Sequence, residues 1–414
     1  MRLVGERWDP ERPFCDTGAR TMKPHTPSTI ATTNDQNLLV RLQYEFSPAA
    51  QRGAELGNPV VELLVAVREA GSIAQAATAL GCSYRHIWGA LRRWETTFGE
   101  PLVSWTQGQP ARLTPFGERL LWAELRARKR MQPHIDALRA DLTRMVTEAR
   151  DPQQQLLTVH ASHDLALPRL REHAEQHAAL HLDMRFMGSI DSIRSLNAGR
   201  CLVAGFHVPA LSGAAPVFAA ALKRLLHPGQ HKLIGCSRRT QGLMMRREDS
   251  VRVRGMSDLA QAGLRFVNRQ PGSGTRLLMD HLMQEHGLQT ALLPGYESRV
   301  EESHVALAAT IASGAADVGP GVEAAALEFG LHFVPLVEED YFLACLKPNL
   351  ELPAVLRLRE LLADAAWTTI LQALPGYRPA AAAGKVLMMT TALPWWRYGS
   401  VKASTSAQRK VLAA

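Results

Sequence analysis

Residues Gly71 to Trp94 read Gly-Ser-Ile-Ala-Gln-Ala-Ala-Thr-Ala-Leu-Gly-Cys-Ser-Tyr-Arg-His-Ile-Trp-Gly-Ala-Leu-Arg-Arg-Trp, two short helical patterns joined by a three-residue turn. Ser72 and Ser83 are placed to cap the two helices, and Gly81 supplies the backbone freedom that the first needs at its end. So short a connection forces the helices to cross steeply. The result is a helix-turn-helix, with one face of the second helix left uncovered. At roughly 100° per residue, Ile87, Ala90, Leu91 and Trp94 share one arc, which must meet Ile73, Ala76, Ala77 and Leu80. The opposite arc carries Arg85, Gly89 and Arg92, flanked by His86, Trp88 and Arg93. Arginine offers paired donors to guanine edges and to phosphate, and a glycine among arginines lets another backbone approach closely. This face fits a DNA major groove.

The segment that follows extends the pattern. Pro101 to Thr114 reads as two short strands around Gln107-Gly108, a wing, after which Thr114 caps a helix that carries Pro115 in its first turn. Between Tyr84 and Arg130 nine Arg or Lys stand against four Glu, an excess suited to a phosphate backbone. The expected DNA contacts are Ser72, Gln75, Ser83, Tyr84, Arg85, His86, Trp88, Gly89, Arg92 and Arg93, with Gln107 and Arg112 from the wing. The helix from Phe116 is expected to kink near Pro133. It carries Ile135, Leu138, Leu142 and Met145 at spacings of three and four, a stripe expected to pair with a second copy as a homodimer or higher homo-oligomer. The Gly-Ser-Ile-x-Gln-Ala-Ala run, Ser83-Tyr84-x-x-x-Trp88, Leu113-Thr114-x-x-Gly117 and the wing resemble the ModE-type, and more distantly the LysR-type, winged helix of molybdate-responsive regulators. The resemblance covers residues 60 to 125, about a sixth of the chain.

With 414 residues there is room for two or three domains, and 46% hydrophobic with 21% charged residues describes a soluble globular chain. The net charge of +8 accords with a nucleic-acid partner. Five cysteines stand far apart with no CxxC pair, so no zinc site is suggested. His173, His177 and His181 recur every four residues but lack the His-Glu-x-x-His order, and no metal is expected. No apolar run approaches a membrane span and no secretory signal is evident, so a cytoplasmic location without membrane contact is expected. The expected divisions are a disordered segment over 1–54, the winged helix over 55–130, and a linker and dimerisation helix over 131–153. A ligand-binding domain over 154–378 and a basic, mobile tail over 379–414 follow.

From Gln155 short apolar runs alternate with helical segments: Leu156 to His160, Leu167 to Gln176, Leu180 to Met187, Ser189 to Asn197, Cys201 to Val208. Strand followed by helix, repeated, predicts a parallel sheet with helices on its faces. A second block begins near Leu264. Lys232 to Ser237 and Gly242 to Arg246 read as extended crossings between the blocks, and Tyr341 to Lys347 as a returning strand. The fold class is therefore α+β multidomain: an N-terminal winged helix-turn-helix plus a C-terminal α/β bilobal domain that closes on its ligand.

Chemistry concentrates at strand ends. Asn268-Arg-Gln-Pro-Gly-Ser-Gly-Thr-Arg276 sets glycines and hydroxyls at a helix N-terminus, where free amides favour an anion. It lacks both the Walker lysine and the third glycine of a dinucleotide loop. Ala161-Ser-His-Asp164 and Met187-Gly-Ser189 are two more such ends. Phe266 to Arg276, Ser303 to Gly319 and Tyr341-Phe-Leu resemble the cytosolic relatives of periplasmic molybdate- and tungstate-binding proteins, of the type II periplasmic-binding fold. That resemblance implies a cleft lined by Ser162, His163, Gly188 and Ser189 on one lobe and by Ser273, Gly274, Thr275, Arg276 and Tyr341 on the other. Arg269, Arg276 and Arg299 are alternative clamps for a carboxylate or a phosphate-bearing ligand. No catalytic residue and no covalent cofactor are expected. Three readings stay open: a DNA-binding regulator sensing molybdate, tungstate or another small anion and controlling molybdenum-related genes; the same regulator sensing formate, another small carboxylate or molybdenum cofactor; and a molybdenum-cofactor-handling enzyme or delivery protein.

Overall fold

The structure, a computed structural model, describes residues 58–105, 110–150, 155–211, 215–260 and 263–396. The segment expected to be disordered, 1–54, and Gln107 in the wing turn lie outside the described residues. The chain divides into two compact units, Met1–Glu124 and Leu125–Ala414.

The first unit holds α1 (Pro59–Ala70), α2 (Ile73–Ala79), α3 (Tyr84–Phe98), β1 (Val103–Ser104), β2 (Arg112–Leu113) and the start of α4 (Pro115–Arg150). Asn58 caps α1, which buries Val60, Val61, Leu63, Leu64 and Val67, and these supply most of the apolar surface that α2 and α3 need. Ser72 Oγ accepts from Gln75 N at 3.5 Å and Ser83 Oγ from His86 N at 3.2 Å, as their positions before the two helices require. Ile73, Ala76, Ala77, Ile87, Ala90 and Leu91 are buried; Leu80 and Trp94 are only half-buried, and Trp94 stacks on Phe98 instead. β1 and β2 form the antiparallel wing. Thr114 Oγ1 accepts from Gly117 N at 3.0 Å and donates to Pro101 O at 2.6 Å, tying the wing to α4.

α4 is helical from Pro115 to Arg150, through the Pro133 at which a kink was expected, and the boundary between units falls inside it at Glu124 rather than at 130.

The second unit runs β3 (Gln155–Ala161), α5 (Ala166–His177), β4 (Leu180–Phe186), α6 (Ser189–Asn197), β5 (Val203–Pro209), α7 (Ala215–Leu222) and β6 (His231–Met245). It continues with β7 (Asn268–Arg269), α8 (Gly274–Glu285), β8 (Val300–Glu301), α9 (His304–Ala312), β9 (Val318–Val322), α10 (Glu323–Glu328) and β10 (His332–Leu346). Last come α11 (Pro353–Ala363), α12 (Ala365–Gln372), β11 (Tyr377–Pro379), β12 (Val386–Leu387) and α13 (Met389–Ala392). β4, β3 and β5 are parallel, and every residue of β5 is buried, as strands covered on both faces must be. The two expected crossings before residue 250 are one strand. β6 and β10, 15 residues each, pair antiparallel from His231↔Leu346 to Met245↔His332. At roughly 3.3 Å per residue they are long enough to serve both lobes: one end meets β5, the other β9.

The tail expected to be mobile from 379 is part of the fold as far as 396. β12 pairs with β6, and Met389 and Leu393 bury in the main apolar cluster. Alternating Leu, Met and Trp, not the basic charge, decide this stretch. Among the described residues no helix is long and apolar enough to cross a membrane.

Candidate functional site

On α3 the arginines divide into two kinds. All three are exposed, but Arg92 also lies over the Trp88 ring at 4.7 Å and reaches Glu95 Oε2 at 3.3 Å. Glu95 in turn accepts from Leu102 N at 2.9 Å, so Arg92 is positioned by its own unit. Trp88 stacks on Tyr84 and meets Trp105 edge-on at 5.6 Å, a ring contact between α3 and the end of β1. Tyr84 and Arg112 are exposed and Ser72, Gln75 and Ser83 stand at the two helix starts. Gly89 has no internal cause: a Cβ built there would find nothing nearer than Arg93 Nη1 at 3.7 Å. A glycine inside a helix costs about 0.5–1 kcal/mol against alanine, so the space above it is free for something outside the unit.

In the second unit the strand ends converge on a narrow cleft lined by Ser162, His163, Met187, Gly188, His207, Arg239, Arg269, Ser273, Gly274, Thr275 and His304. The starts of α6 and α8 abut across it. A Cβ on Gly188 would stand 3.1 Å from Gly272 O, and one on Gly274 3.3 Å from Ser189 Oγ. Ser273 caps α8, accepting from Arg276 N at 3.1 Å, which leaves the first amides of that helix without helical partners.

Below the cleft lies a buried polar network. Asp164 Oδ2 accepts from Arg239 Nη1 at 2.9 Å, from Tyr377 Oη at 3.1 Å and from His207 Nε2 at 3.2 Å, and its other oxygen from Ala166 N at 2.8 Å. Burial alone would raise the Asp164 carboxyl, but His207 and Arg239 together hold it below the usual carboxylate range. Arg239 also pairs with Glu339 at 3.0 Å. Burial opposes its charge; Glu339, then Tyr377 and Asp164, raise it above the ordinary arginine value. His207, pushed below its ordinary range by burial and then by Arg239, is neutral. Its Nδ1 stands 2.9 Å from Ser162 Oγ.

Arg269 is different. Only 3% exposed, it donates from Nη2 to Glu302 O at 2.6 Å, while Nε and Nη1 have no partner. Burial, and after it the neighbouring Arg239, bring it down to about 9. Ser189 Oγ is likewise buried and unpartnered. A buried charge with unused donors is costly unless something else satisfies it.

Of the residues expected there, Ser162, His163, Gly188, Arg269, Ser273, Gly274 and Thr275 line the cleft. Ser189, Arg276 and Tyr341 do not line it. The guanidinium of Arg276 is taken by Asp280 at 2.8 Å and by Glu297, and it lies over the Tyr296 ring. Tyr341 is fully buried below the cleft, donating to Ser162 O at 3.2 Å. Arg299 is not among the lining residues either. The sequence reading missed His207, Arg239 and His304. Their only signal was a lone polar residue in an otherwise apolar strand or helix start.

Comparison with known proteins agrees with this two-part layout. Residues 60–118 match the family described as bacterial regulatory helix-turn-helix protein, lysR family, and residues 170–363 match the PBP superfamily domain. The chain is 29% identical over 248 residues to the uncharacterized protein YvgK of Bacillus subtilis (strain 168), covering 60% of this chain and 78% of that protein. Solved structures similar to it include a mutant of full-length BenM (18% identity, 78% of this chain and 98% of that one, TM-score 0.38). Full-length CbnR in complex with its target DNA is another (17% identity, 74% and 98%, TM-score 0.37). The chain thus carries a segment that matches the lysR-family helix-turn-helix, followed by one that matches the PBP superfamily domain.

Proposed function

We propose that this chain is a DNA-binding transcriptional regulator that senses a small anion held in the cleft of its second unit. The observation that carries the reading is Arg269, a buried guanidinium with two unused donor atoms in a cleft that the start of α8 also lines. Anions are stabilised at such helix starts and by oriented guanidinium donors. Molybdate or tungstate is the ligand class that the sequence resemblance supplies, with formate or another small carboxylate as the alternative; control of molybdenum-related genes belongs to the same reading. Thermal melts of the full chain with molybdate, tungstate, sulfate, phosphate and formate test it. An anion-dependent rise in melting temperature is expected, and no rise with any of them would end the reading.

The DNA contact is expected to centre on Arg85 and Gly89. Arg85→Ala should cost about 1–3 kcal/mol of operator affinity without unfolding the unit. Gly89→Ala has the opposite signature: it should stabilise the helix by about 0.5–1 kcal/mol while weakening DNA binding. Mobility shifts paired with denaturant melts check both. A Gly89→Ala protein that binds operator normally would take α3 out of the groove.

We also propose that α4 pairs with a second copy. Along its stripe Leu138 is 44% and Met145 59% exposed, so the described residues leave both largely uncovered. Leu138→Glu with Met145→Glu is expected to yield a monomer by light scattering and a single protected half-site in footprinting. A dimer that persists in that variant would place the interface elsewhere.

A further inference from the structure

The hydrogen-bond order beneath the cleft dictates what Ser162 has left to give. Asp164 is an acceptor only, and it already receives Arg239, Tyr377 and the Ala166 amide. The contact with His207 Nε2 at 3.2 Å must therefore be Nε2–H donating to the carboxylate. A neutral imidazole has one proton, so Nδ1 holds a lone pair. The proton between Nδ1 and Ser162 Oγ, 2.9 Å apart, then belongs to the serine, which donates inward. What the Ser162 oxygen turns to the cleft is lone pairs.

Arg269 and the start of α8 offer the reverse. Arg269 Nε and Nη1 are donors with nothing to bind, and the first amides of α8, at Gly274 and Thr275, have no helical partner. An anion accepting at those groups meets an acceptor at Ser162. A fully deprotonated ion can take the Ser162 proton only by leaving Nδ1 of His207 buried and unpaired.

Resting on the reading of the cleft as an anion site, but departing from the molybdate, tungstate or formate that the sequence resemblance supplies, we propose that its ligand is an anion bearing an O–H of its own, a protonated oxyanion or a hydroxy acid, whose charged end meets Arg269 and whose hydroxyl donates to Ser162. Recognition then selects for a proton as well as for charge.

Calorimetry on the full chain at pH 7 with matched pairs tests this. Phosphate keeps an O–H where sulfate and molybdate have none, and glycolate adds one to acetate. The O–H-bearing member of at least one pair is expected to bind tenfold or more tighter, and which pair does so separates the oxyanion from the hydroxy acid. Ser162→Ala should bring that ratio close to one without weakening the partner that lacks the O–H, and a Tyr341→Phe protein, which loses only the bond to Ser162 O, should retain the ratio. Sulfate, molybdate or acetate binding as tightly as their partners would overturn the proposal while leaving the anion site standing. Binding of none of these anions would remove both. The relay has the order of a nucleophile, base and orienting carboxylate; steady release of nitrophenol from p-nitrophenyl acetate, lost in Ser162→Ala, would also overturn it, because the serine would then be spending its proton on catalysis.

Discussion

Replacing Arg269 with methionine is expected to abolish anion-dependent stabilisation of the protein while leaving the ligand-free form as stable as before or more so. The two halves of this result have one cause. In the ligand-free cleft the guanidinium has a single bond, to Glu302 O, and burial has already brought it down to about 9 from an ordinary 12.5. Each unit of such a shift is about 1.4 kcal/mol of lost preference for the charged form, a cost present at neutral pH because the group is still protonated there. Methionine removes the charge, fills much of the volume and forfeits one hydrogen bond, worth about 1 kcal/mol. An anion at a hundredfold excess over its Kd stabilises the wild type by about 2.7 kcal/mol, and without Arg269 that gain should vanish. Melting curves with and without the ligand, for both proteins, measure all four quantities. A less stable variant that kept the full shift would mean that Arg269 is a structural residue and that the anion sits elsewhere.

The contrast between Arg269 and Arg276 marks how far the site was legible in the sequence. Both flank the Gly272-Ser-Gly274 loop, and nothing in their immediate neighbours separates them. Yet Asp280 stands four residues beyond Arg276, the helical spacing that draws opposite charges together, and that pair is what turns Arg276 away from the cleft. The loop itself was readable because its chemistry is local: a cap, two glycines and the first amides of a helix. Ser273 and Thr275 belong to that loop, and Ser162 was read from a second strand end. His207 and Arg239 were not, because their meaning is non-local. In sequence His207 is one polar residue in a strand whose every member is buried, and its partner Asp164 lies on a different strand end. The fold shows the same division. The helix-turn-helix and the alternation of strand and helix follow from periodicity, whereas β6 was split at Arg238 to Gln241 because charged residues interrupt its apolar run. Those charges are satisfied by β10 and by Asp164, through Arg238 with Asp340 and Arg239 with Glu339. A strand paired on both sides can carry arginines that a short sequence window reads as a break.

Lowering the pH from 7 to 5 without a ligand is expected to cost the protein at least about 2 kcal/mol of stability, and the cleft histidines are the cause. Burial, and then Arg269, hold His163 down to about 3, and its ring lies stacked on Phe186. An unfolded histidine titrates near 6.5. Between those values the unfolded chain binds a proton that the folded chain refuses, so stability is whole above about 6.5 and falls as the pH drops, by about 1.4 kcal/mol per unit for each such group. His163 alone accounts for about 2 kcal/mol at pH 5. His304 and His207 act in the same sense, His304 through burial and the nearby Arg269 and Arg239, His207 through burial and Arg239, with Asp164 and Glu339 pulling it partly back. Asp164 works over a different range: its folded value lies below the unfolded one near 3.9, so its contribution is constant from pH 7 to 5 and is lost only below. Denaturant melts of the full chain at pH 7, 6 and 5, in an amine buffer free of phosphate and carboxylate, give the slope. His163→Asn should flatten it by about one proton. A bound anion should steepen the protein's retreat from acid less than the empty cleft does, because negative charge beside His163 and His304 makes their protonation easier in the folded state. Stability that stayed level from pH 7 to 5 would show that these imidazoles are solvated, and would deprive the cleft of the dryness on which its selectivity depends.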